Sequence, residues 1–397
     1  MDYLVLTKVH GAILGPISQI LGWILNVLVT FTNSFGVLNI GLSIILFTLV
    51  VKLLMFPMTI KQQKASKLMA VMQPELQAIQ AKYKGKTDND SMMKMNVETK
   101  AVYEKYGTSM TGGCLQLVIQ MPILFALYRV IYCIPAYVMP VKEHFLNVVY
   151  ALTGASSASA LSEGAAANLL QFATDHNIAL TGINPVGDLT GVTGEALANK
   201  MVDILYKLNP AQWSDLAQAF PNAADVISGN AATIEKMNTF LGINLASNPF
   251  NGSFVPNLAW LIPILAGLTQ YASTKLMMAT QPKKNNEEDM SSQMMQSMNV
   301  TMPLMSVFFC FTFPAAIGIY WVASSTFQLL QQLVVNSYLD KVDMDELIRK
   351  NVEKANKKRA KKGLPPQKVN QNATANLKHM EAVAAKEEAE RAEKLEK

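Results

Sequence analysis

The sequence predicts an all-α polytopic membrane protein with five transmembrane helices, a cytoplasmic helical hairpin and an extracytoplasmic helical insert. Three observations predict it. Of 397 residues 50% are hydrophobic and only 16% are charged, against roughly 25% in an average soluble domain. Long uncharged stretches alternate with strongly charged ones, as expected where lipid is the solvent for part of a chain. Lysines and arginines also gather on alternate loops, the pattern of cytoplasmic segments between spans.

The first element, 1–38, holds an apolar stretch at 13–32. Gly15, Ser18, Gln19, Gly22, Asn26 and Thr30 recur there at helical spacing as one small-or-polar stripe, opposite Ile17, Leu21, Trp23, Ile24 and Leu28. A helix divided this way is expected to lie in the membrane interface, with a spanning orientation as the alternative. Asp2 and Lys8 stand where a signal peptide would carry a basic cluster, and no convincing cleavage site follows. The first span is therefore expected to act as its own address.

A bilayer core takes about 20 mostly apolar residues per helix. Segments 39–58, 113–134, 256–278, 300–315 and 317–338 meet that need and are read as spans one to five. The fourth is short and joins the fifth through Phe313-Pro314-Ala315-Ala316, expected to be a tight hairpin at one membrane face.

The loops set the orientation. Lys61, Lys64, Lys67, Lys82, Lys84, Lys86, Lys94, Lys100 and Lys105 follow the first span, Lys283 and Lys284 the third, and Lys357, Lys358, Arg359, Lys361 and Lys362 the fifth. Segment 135–255 has few lysines and more acids, among them Glu143, Glu163, Asp175, Asp203 and Glu235. One topology satisfies every loop: 59–112, 279–299 and the basic tail 339–397 are cytoplasmic, and 135–255 is outside.

Within 59–112, Leu68, Met72, Leu76 and Ile79 keep helical spacing, then a turn signal runs from Gly85 to Asp90. Met92, Met95, Val102, Tyr103 and Tyr106 follow as a second helical run, which together predicts an antiparallel hairpin of two short helices. The outer insert is Ala-, Asn-, Gly- and Ser-rich, with helical runs at 165–175, 196–208, 213–227 and 231–241. From about 351 the tail is rich in Lys, Ala and Glu and is read as solvated helix or disorder.

Lys52 is the most informative residue. It stands inside Ile44–Phe56 with apolar neighbours on both sides, where a cation costs about 2.5–3.5 kcal/mol on insertion scales. Such a residue faces a bundle interior or a wet cavity, or it snorkels to the nearby cytoplasmic interface. Thr48, one turn earlier, extends the same polar face. Gln116 and Gln120 share a face of the second span. On the fifth span Tyr320, Ser324 and Gln328 repeat every fourth residue beside Trp321 and Ser325, with Gln331 and Gln332 at the inner end. Each stripe alone could serve interhelical hydrogen bonding. Three stripes and a buried cation point instead to one hydrophilic groove, a path that shortens the apolar distance a polar segment must cross. No Walker A loop, zinc-protease motif or nucleophile elbow is present, and no cofactor, metal or covalent step is expected. Cys114, Cys133 and Cys310 lie in or beside apolar stretches without metal-ligand spacing.

Several runs resemble the YidC/Alb3 insertase family: Lys52-Leu53-Leu54-Met55-Phe56-Pro57-Met58-Thr59-Ile60-Lys61-Gln62-Gln63 with Met72-Gln73-Pro74-Glu75-Leu76 and Lys82-Tyr83; Gly113-Cys114-Leu115-Gln116-Leu117-Val118-Ile119-Gln120-Met121-Pro122-Ile123; and Phe313-Pro314-Ala315-Ala316-Ile317-Gly318-Ile319-Tyr320-Trp321 with Gln331-Gln332. The resemblance covers roughly 20–135 and 255–340. It implies a non-enzymatic membrane insertase and chaperone in the bacterial plasma membrane, C-terminus cytoplasmic, with a groove open to cytoplasm and lipid and a hairpin that receives client. It further implies action on nascent membrane proteins, alone or beside the Sec translocon, with no small-molecule substrate. The clustered cations Lys357, Lys358, Arg359, Lys361 and Lys362 are expected to hold the ribosome or anionic lipids, the alternative being a solvated tail that only sets orientation. Two departures stand out. The family's groove cation is usually arginine, and lysine keeps the charge while losing the planar fork. The insert of roughly 120 residues lies where simple Gram-positive members have a short linker. An anion transporter and a structural subunit of a membrane complex are the competing readings; the first would call for internal repeats and paired broken helices, which the sequence lacks.

Overall fold

The computed structural model describes residues 11–86, 88–108, 112–178, 189–250, 256–279, 290–361 and 363. It is mostly helical and falls into two compact units. One unit comprises residues up to 51, 120–268 and 303–325; the other comprises 52–119, 269–302 and 326 onward.

In the first unit, α1 (Leu14–Ser34) buries Gly15, Ser18, Leu21, Gly22, Leu25, Val29 and Thr32 along one face. Ile20, Trp23, Val27 and Phe31 are exposed on the other. Of the expected small stripe, Gly15, Ser18 and Gly22 lie on this packed face together with Leu21 from the opposite set, whereas Gln19 and Thr30 are exposed. Helix α1 meets α5 (Ile134–Tyr137) and α6 (Met139–Thr153), and a Cβ at Gly22 would collide with the Tyr137 ring. Close approach of this kind needs small residues. It leaves large apolar groups facing outward, the reverse of a water-soluble helix.

The long α2 (Ile40–Lys82) begins in this unit and continues into the other. It corrects the division of 39–82 into a span and a separate short helix. Pro57 and Pro74 lie inside it, and each removes one backbone donor without stopping the helix. Helices α1 and α2 are long and apolar enough, by length and composition, to cross a membrane, and Met121–Tyr132 and Thr301–Thr312 are shorter apolar helices.

After α3 (Asn89–Lys105) and α4 (Gly112–Tyr132), the insert builds its own core. Helices α5 and α6 are followed by α7 (Ala167–Asp175), α8 (Gly194–Leu205), α9 (Pro210–Ala219) and α10 (Ala224–Asn238). Val141, Phe145, Val148, Met201, Trp213, Leu216, Ile227 and Met237 are buried together as this core. The helical run expected at 213–227 is two helices parted at Phe220-Pro221, because proline cannot supply the next backbone donor. The run expected at 231–241 ends at Asn238 and turns into a two-stranded antiparallel ribbon, β1 (Thr239–Phe240) and β2 (Ile243–Asn244).

That ribbon is tied to three helix starts. The Asn39 side-chain amide donates to the Thr239 carbonyl at 2.8 Å, and Phe240 lies against Gly41 at the start of α2. A methyl at Gly242 would sit 3.3 Å from Leu258, just ahead of α11 (Leu261–Ala279). The backbone N–H groups of Ala315 and Ala316 donate to the carbonyls of Ser247 and Leu245 at 2.9 and 3.0 Å, capping the start of α13 (Ala315–Leu339). Between α11 and α13 runs α12 (Met290–Thr312); it begins ten residues before the expected fourth span. Its turn into α13 is at Phe313-Pro314.

In the second unit, Leu68, Val71, Met72 and Leu76 of α2 pack with Val102 and Tyr106 beside α3 and with Met344, Ile348 and Val352 of α14 (Met344–Ala360). From 351 the tail is helical to Ala360 and its described side chains are exposed or half-buried, as in a solvated helix, except that Val352 is buried in this cluster. Apolar residues at every fourth position of α14 form a stripe one residue wide, and Val352 is fully buried. Asp343 caps α14 by accepting from the backbone N–H groups of Asp345 and Glu346. Of the expected turn at 85–90, Asn89 and Asp90 belong instead to α3, whose cap is Asp88.

Candidate functional site

The apolar run on either side of Lys52 places its ammonium on a helix flanked by Leu53 and Leu54, exposed at 59% and 66%. Lys52 itself is half-buried, and its ammonium has no ion-pair partner among the described residues. Its backbone carbonyl accepts a hydrogen bond from the Gln331 side chain at 2.9 Å, which brings the C-terminal half of α13 beside it.

Further amides continue this seam. Gln63 and Gln332 exchange hydrogen bonds, Gln63 Nε2 donating to Gln332 Oε1 at 2.7 Å and Gln332 Nε2 donating back at 3.3 Å. Gln332 also donates to Asn336 Oδ1 at 2.7 Å, and both glutamines are buried. Lys64 lies over the Tyr338 ring, and Lys67 pairs with Asp340 at 2.8 Å. A reciprocal buried amide pair satisfies donors and acceptors on both sides, so it holds two helices without a buried charge. Gln63 and Asn336 were absent from the sequence-derived set. Spacing within one helix cannot show a pairing across 269 residues.

The remaining expected site residues divide between the two units. Thr48, Tyr320, Trp321, Ser324 and Ser325 belong to the first, Lys52 and Gln328 to the second. Thr48 is buried, and its hydroxyl donates to the Ile44 carbonyl at 2.7 Å, so its one proton is already committed to its own helix. Ser325 does the same toward Trp321 at 2.9 Å. The Trp321 ring lies 6.3 Å from that of Phe309. Tyr320 and Ser324 stand one turn apart on this helix, and both are half-buried, as is Gln328. The side chains of Gln116 and Gln120 lie outside the described residues.

Of the basic tail residues, Lys357 pairs with Glu353 at 3.0 Å, and Arg359 reaches Glu104 at 3.8 Å. Lys361 is exposed, and Lys358 and Lys362 lie outside the described side chains. On the hairpin, Lys82 binds Glu98 at 2.5 Å, and the Tyr83 hydroxyl donates to the same carboxylate at 2.9 Å. These contacts push the Lys82 ammonium above its usual pKa and the Glu98 carboxyl below its own.

A model of the family described as 60Kd inner membrane protein matches residues 30–158 and 216–342. The membrane protein insertase YidC of Oceanobacillus iheyensis is 27% identical over 307 residues, covering 77% of this chain and 78% of the relative. Membrane protein insertase MisCA of Bacillus subtilis is 25% identical over 312 residues, 78% of this chain and 76% of its own. Membrane protein insertase YidC 2 of Listeria innocua is 24% identical over 356 residues, 88% and 82%. The family match skips 159–215, the stretch that holds α7 and α8.

Proposed function

Because the chain belongs to the 60Kd inner membrane protein (YidC/Alb3/Oxa1) family, whose members insert membrane proteins, we propose that it receives nascent hydrophobic proteins from the cytoplasm and passes them into the bilayer by way of the Lys52 charge. The observation that carries this reading is Lys52: a cation in an apolar helix with no ion-pair partner among the described residues.

A translocated segment carries polar groups that lipid cannot satisfy, each costing several kcal/mol, on the order of 2–7. A hydrated polar face lowers that cost. An uncompensated ammonium attracts acidic client residues, since two unit charges a few ångströms apart interact far more strongly in a low-dielectric setting than in water. Gln328, Tyr320 and Ser324 supply neutral hydrogen-bonding groups along α13, and Trp321 an amphipathic ring. Leu53 and Leu54 offer an apolar exit. The seam of Gln331 and the Gln63–Gln332 pair serves as scaffold: it fixes where along α13 the charge sits. No covalent chemistry enters the process.

The orientation follows the lysine pattern: hairpin and C-terminus cytoplasmic, insert outside. In that arrangement α2, α3 and α14 meet the client first, with the Sec translocon and the ribosome as working partners. Lys361 and the basic residues beyond it attract ribosomal RNA or anionic lipid at low salt.

The test compares clients within one variant reconstituted in vesicles. Lys52→Arg is expected to retain insertion of clients with acidic translocated segments. Lys52→Ala and Lys52→Glu are expected to lower it at least several-fold, with little change for clients lacking acids. Equal activity of Lys52→Ala on both client classes, at normal protein levels, would reduce Lys52 to a snorkelling residue.

A further inference from the structure

The turn of the β1–β2 ribbon combines two unfavourable features in one residue. Leu241 and Gly242 form its two-residue loop, with φ of +51° and +79°. Such a turn requires positive φ at both central positions, where Asn-Gly is the favoured pair because asparagine tolerates the left-handed region. Leucine does not, its side chain crowding the backbone there. Leu241 is also 78% exposed, the most exposed large apolar side chain among the described residues. A strained backbone at the tip of a ribbon therefore points a leucine away from the protein.

Its surroundings are apolar as well. Leu258 neighbours Gly242 and is 51% exposed. Leu261, Ile264, Leu265 and Leu268 then continue along one exposed face of α11, at intervals of three and four residues. That face belongs to a helix in a membrane-protein family member, and its large exposed apolar groups fit lipid. The ribbon stands at the end of this face, held there through Asn39 and Phe240 at the start of α2 and through Leu245 and Ser247 at the start of α13.

We propose that the Leu241 tip, continuous with Leu258 and the exposed apolar face of α11, inserts into the bilayer leaflet on the insert's side and anchors that domain to the lipid surface. The occupant is the acyl region just beneath the headgroups. A single leucine on a two-residue turn reaches a shallow depth, and an apolar surface continuous with a lipid-facing helix needs no separate partner. The domain is thereby pinned to the membrane at the ribbon end while its helical core remains in water.

The test uses the full-length chain in vesicles of phosphatidylcholine and phosphatidylglycerol at 3:1. Cys114 is replaced by serine, and an environment-sensitive fluorophore is placed on L241C, L258C or N222C, the last an exposed position in the insert. A nitroxide carried on the lipid chain near the headgroup is expected to quench the probe at 241 at least threefold more than at 222. Iodide on both sides of the membrane is expected to show the opposite order. The probe at 258 should follow that at 241, and it carries the test should L241C fail to fold. Probes at 241 and 258 quenched by iodide as fully as at 222, and untouched by the nitroxide, would place the tip in water and overturn the proposal.

Discussion

The insert of α5 to α10 and the bundle of α2, α3 and α14 treat charge in opposite ways. The insert buries it: Lys200 and Asp203 are 4% and 5% exposed, within a core drawn from α6, α8, α9 and α10. The inner bundle wears it outside, in pairs such as Lys94–Asp90, Lys105–Glu75 and Lys350–Glu346 around a core of nine buried residues. Exposed pairs contribute about 0–1 kcal/mol each, so the bundle rests on its small apolar cluster. A buried charge is expensive unless its partner stays in place, so the insert cannot loosen locally without exposing one charge to the other's absence. The insert is built to keep one arrangement. The bundle can part along α14 with little electrostatic penalty.

That contrast can be broken most severely at Asp203. Its attraction raises the pKa of Lys200 and Lys207, while burial lowers both more strongly. Asp203→Ala is expected to destabilise the insert by about 3–5 kcal/mol, because it strands a buried cation. Hydrogen exchange in Gly194–Leu205 should accelerate, with Asn89–Lys105 unchanged. An effect equal to that of removing an exposed carboxylate such as Asp90 would erase the distinction.

Next in size is Ile348→Ala, which hollows the inner cluster from α14. A buried isoleucine truncated to alanine costs about 2–5 kcal/mol, a large share of what nine residues supply. Protease cleavage near Gly85 and release of α14 should both quicken, while Lys350→Ala, which removes only an exposed pair, should leave them nearly unchanged.

The smallest effect is in pH. Glu98 has a lowered pKa, so its contribution is present above the unfolded carboxylate value of about 4.3 and is lost as pH falls through its folded value. Lys82 has a raised pKa, so its contribution holds below about 10.4 and fades as pH rises through its folded value. Lys200 runs the other way: burial lowers its pKa, so the insert gains stability as pH rises from the folded value toward about 10.4. Exchange rates corrected for intrinsic chemistry should therefore diverge between the two regions in alkali, and Lys82→Ala should remove the acid-side change in the bundle alone.

The sequence reveals α1 and the N-terminal part of α2 well, because each is a long apolar run, with Lys52 the only charge in α2 before Lys61. It hides where α2 ends. Hydropathy falls after Met58, yet nothing between Thr59 and Lys82 stops a helix, and two prolines are absorbed. The docking of α14 is hidden for the opposite reason: Met344, Ile348 and Val352 are three apolar residues among many charges, and Val352 alone lies beyond the point where the chain begins to look solvated. Helix α6 has an apolar stripe in Val141, Phe145, Val148 and Val149, obscured by its position directly after a span. The β-ribbon has two-residue strands, too short for any period to register. Lys52 is legible because a lone cation in an apolar run is conspicuous. Its scaffold is not, since Gln63, Gln332 and Asn336 acquire meaning only once distant helices are adjacent.

The reciprocal bond between Gln63 and Gln332 also constrains how this chain can vary over generations. A change at either position leaves a buried amide facing an apolar neighbour, a state worse than both the original pair and a fully apolar replacement. Drift through single substitutions is therefore blocked by a valley between two acceptable states. Descendants are expected to keep both amides or to have lost both, and the two columns, 269 residues apart, should be inherited as one character.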